Sequence, residues 1–262
     1  MSHMSKYLSS SEKTLLFADL DSTLIYSHRH THDEECVWVE ELHGHPQSFM
    51  TAKTYQYFKN QTWLEVVPLT TRTAAQYARL SALAVTMHWQ NALICNGAVL
   101  LTAQGEDAAW RAESERLAAG DFAELCRMKQ KAADLTGTDA IISAEPFLFY
   151  VRAEDAEGLF RTLKPQADLT HLSVYRDKRK VYFVSRSMRK GNAAKRFRDR
   201  IQAEGFYAAG DSKFDISMLN AAAVGICPAA LTASANPSGR LIGCEGRLSD
   251  ALCDALETVK EK

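Results

Sequence analysis

Short apolar runs that end in acidic or hydroxyl residues alternate with helical segments along most of this chain. Residues 14–18 form the first such run, and residues 63–69, 92–95, 206–209 and 223–226 form others. Runs of this kind are typical of strands in a parallel sheet, because both faces of such a sheet are covered. Strands that alternate with helices predict an α/β fold with a doubly wound parallel sheet.

The alternation is interrupted between residues 105 and 185. Residues 106–135 predict one long helix, whereas residues 172–175 and 180–184 flank a charged turn and predict a hairpin. This block predicts a separate α+β unit, inserted between the two parts of the sheet domain, residues 1–104 and 186–262. Residues 73–83 predict a further helix, and the polar excursion 26–50 is expected to contain a small hairpin at 36–39.

Composition and charge exclude several classes of protein. The chain has 262 residues and a net charge of −1, so bulk electrostatics predict no attraction to nucleic acid or to an acidic membrane. No apolar run has the length of a membrane span and no leader opens the chain, which favours a cytoplasmic protein. The polar residues 1–11 are expected to be frayed. The six cysteines form no CxxC pair, which favours buried reduced thiols over a zinc site.

Four polar clusters follow predicted strands or begin predicted helices. They are residues 19–23 (Asp-Leu-Asp-Ser-Thr), 70–72 (Thr-Thr-Arg), 190–193 (Lys-Gly-Asn-Ala) and 210–215 (Gly-Asp-Ser-Lys-Phe-Asp). Ligands of open parallel sheets bind beyond the carboxyl ends of the strands, so we expect these clusters to converge. Their carboxylates, lysine and hydroxyl groups suit a hard cation and a phosphoryl group.

Asp19 and Asp21 lie two residues apart at the end of the first predicted strand. Residues i and i+2 of an extended segment share a face, so both carboxylates are expected in one site. One carboxylate can act as a nucleophile that forms an aspartyl-phosphate, and the other can protonate the leaving oxygen and then activate water. A helix cap is the alternative for Asp before Ser and Thr, but it does not account for two carboxylates. Like charges this close are costly without a cation, and Mg²⁺ suits such ligands.

The order and types of these residues resemble the four motifs of haloacid dehalogenase superfamily hydrolases. The matching positions are Asp19 and Asp21 for the first motif, Thr70 for the second, Lys190 for the third, and Asp211 and Asp215 for the last. The strings Lys-Gly-Asn-Ala and Asn-Gly-Ala, and an insert between the second and third motifs, resemble the IIB subgroup. That subgroup contains sucrose-phosphatase-like and Cof-type sugar phosphatases.

The resemblance implies a Mg²⁺-dependent phosphatase that hydrolyses a small phosphorylated metabolite, with a sugar phosphate favoured, through an aspartyl-phosphate on Asp19. It implies a catalytic core at 1–104 and 186–262 and a cap at 105–185. The implied catalytic residues are Asp19, Asp21, Thr70 and Lys190. The implied phosphate contacts are Leu20, Thr70, Thr71, Arg72, Lys190 and Asn192. The implied Mg²⁺ ligands are Asp19, Asp21, Asp211 and Asp215.

One departure from the resemblance leaves alternatives open. Phe214 stands where the subgroup usually has Asn, so a catalytically weak regulatory or binding protein is the alternative to an active enzyme. Nucleotides and phosphorylated cofactors are alternative substrates. The sequence predicts no particular oligomeric state.

Two further patterns have more than one interpretation. The excursion carries five histidines, which favour a flap over the active site but leave a transition-metal site as the alternative: His28, His30, His32, His43 and His45. The basic residues at 176–180 and 186–200 favour a solvated face. Attraction of an anionic substrate is the functional alternative, and nucleic acid binding is disfavoured because no stacking aromatics interleave with the charges.

Overall fold

The computed structural model describes residues 13–30, 35–144 and 146–260, so the predicted frayed segment 1–11 and His32 lie outside the described residues. The strands are β1 (Thr14–Ala18), β2 (Tyr26–Ser27), β3 (Cys36–Leu42), β4 (His45–Thr51), β5 (Leu64–Pro68), β6 (Asn91–Ile94), β7 (Val99–Thr102), β8 (Gly105–Glu106), β9 (Ile141–Ala144), β10 (Leu148–Arg152), β11 (Leu172–Asp177), β12 (Lys180–Ser185), β13 (Tyr207–Ala209), β14 (Val224–Pro228) and β15 (Arg240–Cys244). The helices are α1 (Ala52–Asn60), α2 (Ala74–Ala78), α3 (Ser81–Thr86), α4 (Ala108–Ala118), α5 (Phe122–Thr136), α6 (Ala156–Leu163), α7 (Lys190–Arg200), α8 (Ile216–Ala221), α9 (Ala229–Thr232) and α10 (Leu248–Lys260).

A five-stranded parallel sheet with the order β15-β14-β13-β1-β5 forms the centre of the core. Alternate residues of β1 face opposite sides of this sheet. Leu15 and Phe17 pack with α7 and α8, whereas Leu16 and Ala18 pack with α1 and α10. Helices therefore cover both faces, and the predicted doubly wound α/β fold is confirmed.

The third predicted strand does not join this sheet. β6 pairs antiparallel with β7, which pairs with β8, and the link to the parallel sheet is a single bridge between Leu69 and Leu93. The polypeptide just after β6 turns tightly through Asn96 and Gly97, both with positive φ, so the chain folds back on itself at once. The parallel sheet gains its fifth strand from β15 instead, which the sequence analysis did not predict.

The inserted segment forms a second, antiparallel sheet with the order β11-β12-β10-β9. Period-two alternation divides its side chains between two faces. The rings of Phe149 and Phe183 are stacked with their centroids 4.7 Å apart, and both side chains pack against α5 and α6. Tyr150 and Tyr182 point the other way, in contact with Phe214 of the core. One face of this sheet is thus covered by its own helices and the other by the parallel-sheet domain.

Two long helices predicted from the sequence are broken in the structure. Residues 106–135 form α4 and α5 with a break at 119–121, and residues 73–83 form α2 and α3. Asp121 accounts for the first break. Its carboxylate accepts hydrogen bonds from the Ser185 and Ser187 hydroxyls, where the chain returns to the core. α4 packs on the core side of this break through Trp110. The proposed division at 105 and 185 stays a prediction.

The excursion 26–50 forms a three-stranded antiparallel sheet with the order β2-β4-β3, larger than the predicted hairpin at 36–39. Its Phe49 packs against Tyr26 and Trp38. In the described part of the chain, no helix combines the length and apolar character that a membrane span requires.

Candidate active site

Three of the four predicted clusters lie at the carboxyl edge of the parallel sheet. Asp19 directly follows β1, Thr70 follows β5, and Asp211 follows β13, and these three strands are neighbours. β5 pairs with one edge of β1, and β13, from the later part of the chain, pairs with its other edge. Ligands of such sheets bind in the crevice beside the strand at which the order reverses, which here is β1. The predicted convergence is observed.

A buried lysine lies at the centre of the acidic cluster. The Lys190 Nζ atom is 2.9 Å from Asp19 Oδ1 and 2.6 Å from Asp215 Oδ1, and its side chain is 0% exposed. One carboxylate oxygen from each of Asp19, Asp211 and Asp215 lies within 4.8 Å of the other two. One cation therefore faces three carboxylates, and their remaining negative charge fits a divalent ion.

Glycines allow the close approaches on which this cluster depends. A Cβ atom at Gly210 would lie 2.3 Å from the Cβ of Asp215, so a side chain there would push the two acidic residues apart. At Gly191, next to Lys190, a Cβ atom would lie 2.2 Å from the Ser217 carbonyl oxygen. The two glycines of the third and fourth clusters are thus required by packing at the site.

Two carboxyl groups of the cluster, those of Asp19 and Asp211, resist ionisation. Burial, together with the charges of Asp215 and Asp21, raises the pKa of Asp19 to about 7, although Lys190 opposes the shift. Burial and the charges of Asp215 and Asp19 raise the pKa of Asp211 to about 8. The same carboxylates raise the pKa of Lys190 against the effect of its burial, so this lysine stays charged. A bound divalent cation would favour the ionised carboxylates.

Asp21 lies outside this cluster and pairs with Arg72. The Arg72 Nε and Nη2 atoms donate to the two Asp21 oxygens at 2.9 and 2.8 Å, while the Asp21 side chain remains 55% exposed. Burial would raise the pKa of Asp21, but its hydrogen bonds and charge interaction with Arg72 lower it below the ordinary value. The carboxylate is therefore ionised and fixed in direction, with one side open to solvent.

Glu40 holds the opposite side of Arg72. Both Glu40 oxygens accept from Arg72 at 3.0 Å, and they also accept from Arg79 Nε and the Ser48 hydroxyl at 2.6 Å. The Glu40 side chain is only 2% exposed. No sequence pattern singles out this residue, since Glu41 follows it in β3 and no periodicity distinguishes the buried glutamate from the exposed one.

The other predicted phosphate contacts occupy different surroundings. Thr70 is buried, and its hydroxyl accepts from the Arg72 amide at 3.2 Å, while Thr71 is partly exposed. The Leu20 amide donates to Asp19 Oδ1 at 2.8 Å. Asn192 is exposed, and its amide donates to the Ser187 carbonyl at 3.4 Å. The structure thus gathers Leu20 and Thr70 at the site and leaves Asn192 on the surface of α7.

The inserted sheet contacts core residues next to the candidate site, including Phe214, Gln76 and Ser22. Phe214 packs against Tyr175 and Tyr182, with ring centroids 4.3 and 4.9 Å apart. Gln76 Nε2 donates to the Tyr150 hydroxyl at 3.0 Å, and Lys178 donates to the Ser22 hydroxyl at 3.2 Å. Phe214, the departure from the family resemblance, therefore contributes an aromatic contact between core and insert.

The described histidines of the excursion, His28, His30, His43 and His45, do not join the acidic cluster. In residues 13–30, 35–144 and 146–260, the one group of metal-binding type is Asp19, Asp211 and Asp215. His28 contacts the Gln47 carbonyl, and His43 occupies the turn between β3 and β4 with positive φ. The transition-metal alternative gains no support from the described residues.

Two clefts flank different parts of the core. A cleft of about 320 Å³ includes Asp211 and Ser22 among its lining residues. A larger cleft of about 1020 Å³, lined by residues such as Lys13, Glu65 and Arg200, includes no member of the acidic cluster. Only the smaller one adjoins the candidate site.

Comparison with known proteins places the chain in a family. Residues 16–233 match the model of the haloacid dehalogenase-like hydrolases. The chain belongs to this family, and the resemblance given by the four motifs is confirmed. No curated protein sequence matches the chain significantly.

Solved structures with low sequence identity share the fold. The sucrose-phosphatase from Synechocystis sp. PCC6803, solved with sucrose and phosphate, is 15% identical with a TM-score of 0.60, covering 95% of this chain and 98% of that one. The subclass IIB sugar phosphatase BT4131 is 14% identical with a TM-score of 0.65, covering 95% and 99%. BT1666 from Bacteroides thetaiotaomicron is 14% identical with a TM-score of 0.56, covering 99% of each chain. The predicted fold and the predicted enzyme class, a haloacid dehalogenase-type hydrolase, are confirmed.

Proposed function

We propose that this hydrolase is a Mg²⁺-dependent phosphatase of small phosphorylated metabolites that acts through a phosphoryl group on Asp19. The observation that supports it most strongly is the contact of Lys190 with both Asp19 and Asp215, with Asp211 in the same cluster. A buried ammonium beside a carboxylate nucleophile can stabilise the negative charge of an incoming phosphoryl group.

Asp19 is oriented for attack. Its Oδ1 atom accepts from the Leu20 amide and from Lys190, and no hydrogen bond to its Oδ2 atom occurs among the described residues. In the first step an Asp19 oxygen bonds to phosphorus, and the bond from phosphorus to the leaving oxygen breaks. Water then attacks the phosphorus, which releases inorganic phosphate and restores the Asp19 carboxylate.

Asp21 transfers the protons in this scheme. Because its carboxylate is ionised at rest, Asp21 first takes up a proton on its solvent-exposed side. It donates this proton to the leaving oxygen in the first step and accepts one from the attacking water in the second. Arg72 acts as a positioning residue, because its guanidinium holds both Asp21 oxygens and is itself held by Glu40. Thr70, Thr71 and the Leu20 amide remain proposed phosphate contacts.

The donor set of the cluster fits Mg²⁺. Magnesium is usually bound through one or two carboxylates together with water and phosphate oxygens, and the third carboxylate here is neutralised by Lys190. The residues proposed to hold it are the three clustered aspartates, with the main-chain carbonyl of Asp21 added by the family resemblance. When bound, the ion neutralises carboxylate and phosphoryl charge, and so lets Asp19 ionise at neutral pH.

We further propose that the inserted unit, residues 105–185, acts as a cap over the site and that the substrate is a sugar phosphate. The cap presents Tyr150, Tyr175 and Tyr182 toward the core. Aromatic rings at this position can pack against a sugar and exclude water. The sugar phosphatases with the same fold support this choice of substrate.

A phosphatase assay with p-nitrophenyl phosphate tests the proposal. The wild-type protein is expected to hydrolyse it with Mg²⁺ and to lose turnover with EDTA, and Asp19→Asn is expected to be inactive in both conditions. Turnover of the wild-type protein that does not exceed that of Asp19→Asn would overturn the proposal and favour a binding or regulatory protein on this fold.

A further inference from the structure

The cleft of about 320 Å³ adjoins the acidic cluster through Asp211. Its other lining residues include Ser22, Tyr26, His30 and Arg247. Its volume is at the lower end of the range of small-molecule sites, and it exceeds by far the space that one water molecule occupies. A part of the substrate bound in this cleft would therefore lie next to Asp211.

Basic side chains from two parts of the core share the ring of Tyr26. The Arg247 guanidinium lies 5.5 Å from the Tyr26 ring centre, and the ring of His30 lies 5.6 Å from it. Tyr26 is buried, so its ring forms a rigid floor for both side chains. Arg247 precedes α10 directly, and the first amides of that helix add partial positive charge at the same cleft.

The insert supplies a third basic group at the rim. Lys178 donates to the hydroxyl of Ser22, a lining residue of the cleft. Burial and the charges of Lys178 and Arg247 lower the pKa of His30, which places all three side chains in one electrostatic environment. At neutral pH His30 is then an uncharged group able to donate a hydrogen bond, beside two permanent cations.

We propose that this cleft, lined by Arg247 and His30 and with Lys178 bonded to its lining residue Ser22, is a subsite for a second anionic group on the substrate. The inference rests on the proposed function, because the phosphoryl group at Asp19 supplies the first anionic group. Its ligand chemistry is a carboxylate or a second phosphate, since arginine and lysine bind both. Among phosphorylated sugars and their acids, the preferred substrates are then those that carry a carboxylate or a second phosphate.

Matched pairs of substrates test the subsite. 3-Phosphoglycerate and glycerol 3-phosphate differ only in a carboxylate, and fructose 1,6-bisphosphate and fructose 6-phosphate differ only in the second phosphate. The wild-type protein is expected to show kcat/KM at least about tenfold higher for the doubly anionic member of one pair, as one charge-assisted contact gives. The pair that shows this ratio identifies which anion is bound.

Two variants and one control assign the ratio to the cleft. Arg247→Gln, and Lys178→Gln at an exposed position, are each expected to lower the kcat/KM ratio between the doubly and singly anionic substrates about fivefold or more. Two variants are needed because Arg247 also packs on Tyr26. The control, Arg116→Gln, removes an exposed charge that pairs with Glu113 on α4, and its ratio is expected to equal that of the wild type. Ratios near one in the wild type, or ratios unaffected by both variants, would overturn the subsite.

Binding to Asp19→Asn separates failure of the subsite from failure of the catalytic proposal. Calorimetric titration of this variant with 3-phosphoglycerate and glycerol 3-phosphate, and with the two fructose phosphates, needs no turnover. Suppose that the wild-type protein is inactive, but Asp19→Asn binds the doubly anionic member of one pair about tenfold more tightly than the other member. If adding Arg247→Gln to this variant removes the preference, the phosphatase proposal alone is overturned. Equal affinities within both pairs would overturn the subsite, whatever the activity of the wild-type protein.

Discussion

The Arg72 guanidinium and the Asp21 carboxylate form a two-point ion pair, with donor–acceptor distances of 2.9 and 2.8 Å. Glu40 holds the far side of the same guanidinium, so the direction of the Asp21 carboxylate depends on a buried residue of the β3–β4 hairpin. This chain of contacts connects the proposed proton-transfer group to the excursion that follows the first motif.

The Asp21 carboxylate is expected to matter most for poor leaving groups. An alkoxide needs a proton as it leaves, whereas p-nitrophenolate is stable without one. Asp21→Asn is therefore expected to lower kcat/KM, which reports the first step, by about 10²-fold or more on an alkyl phosphate and by much less on p-nitrophenyl phosphate. Steady-state kinetics on both esters measures the difference. Equal losses on the two esters would contradict proton transfer by Asp21.

The buried Lys190 is expected to be essential for stability as well as activity. Its removal leaves Asp19 and Asp215 without their cation in a buried site, which typically costs about 3 to 5 kcal/mol of folding free energy. Urea unfolding of Lys190→Met at pH 8 without Mg²⁺ measures the loss. Lys195→Gln, an exposed lysine on the same helix, is the matched control and is expected to unfold like the wild type. Similar stability of both variants would contradict this role.

Without a divalent cation, the protein is expected to become less stable as the pH rises. The pKa of Asp19 is raised to about 7 and that of Asp211 to about 8, whereas an unfolded Asp titrates near 3.9. Between about pH 4 and 8 the folded state holds protons that the unfolded state has lost, so the free energy of unfolding falls across this window. Melting temperatures in EDTA at pH 5.5 and 8.5 measure the fall.

Mg²⁺ and one substitution serve as controls for this pH dependence. Mg²⁺ is expected to restore most of the stability at pH 8.5, because it binds the ionised carboxylates. Asp211→Asn is expected to reduce both the fall with pH and the gain from Mg²⁺, while Asp139→Asn, on the exposed surface, changes neither. A melting temperature in EDTA that rises with pH, or that Mg²⁺ leaves unchanged, would argue against the cluster as a cation site.

Phe214 is expected to hold the insert against the core. Its ring packs on Tyr175 and Tyr182, so Phe214→Ala removes two aromatic contacts and opens a cavity between the two sheets. The variant is expected to lose about 3 kcal/mol of stability and to raise KM more than it lowers kcat. Phe122→Ala, at an exposed aromatic of α5, is the control. An unchanged KM for Phe214→Ala would show that this contact does not contribute to substrate binding.

The clustering of the motifs follows from the sequence because strand ends in a parallel sheet share an edge. Asp19 and Asp211 are each found beyond a short apolar strand, and that topology alone brings them together. The partners of Arg72 do not follow from the sequence in this way. A guanidinium can bind a phosphate or any nearby carboxylate, and only the tertiary position of Glu40 decides which partner Arg72 has.

Local signals account for some differences between the expected and observed elements. Gly120 and Asp121 lie at the break between α4 and α5, and a glycine followed by an N-capping residue is a signal for such a break. β15 carries a weaker signal, because Gly243 interrupts the short apolar run that follows Arg240. The aromatic contact of Phe214 depends on how the insert docks, which sequence patterns do not specify.

Chemical trapping of the phosphorylated residue tests the central claim most directly. Asp21→Asn is expected to accumulate the intermediate, since it lacks the base that activates water. Borohydride reduction of this variant, quenched during turnover of p-nitrophenyl phosphate with Mg²⁺, is expected to convert Asp19 to homoserine, which peptide mass spectrometry detects. Hydrolysis that proceeds with no change at position 19, or that persists in Asp19→Asn, would contradict covalent catalysis by this residue.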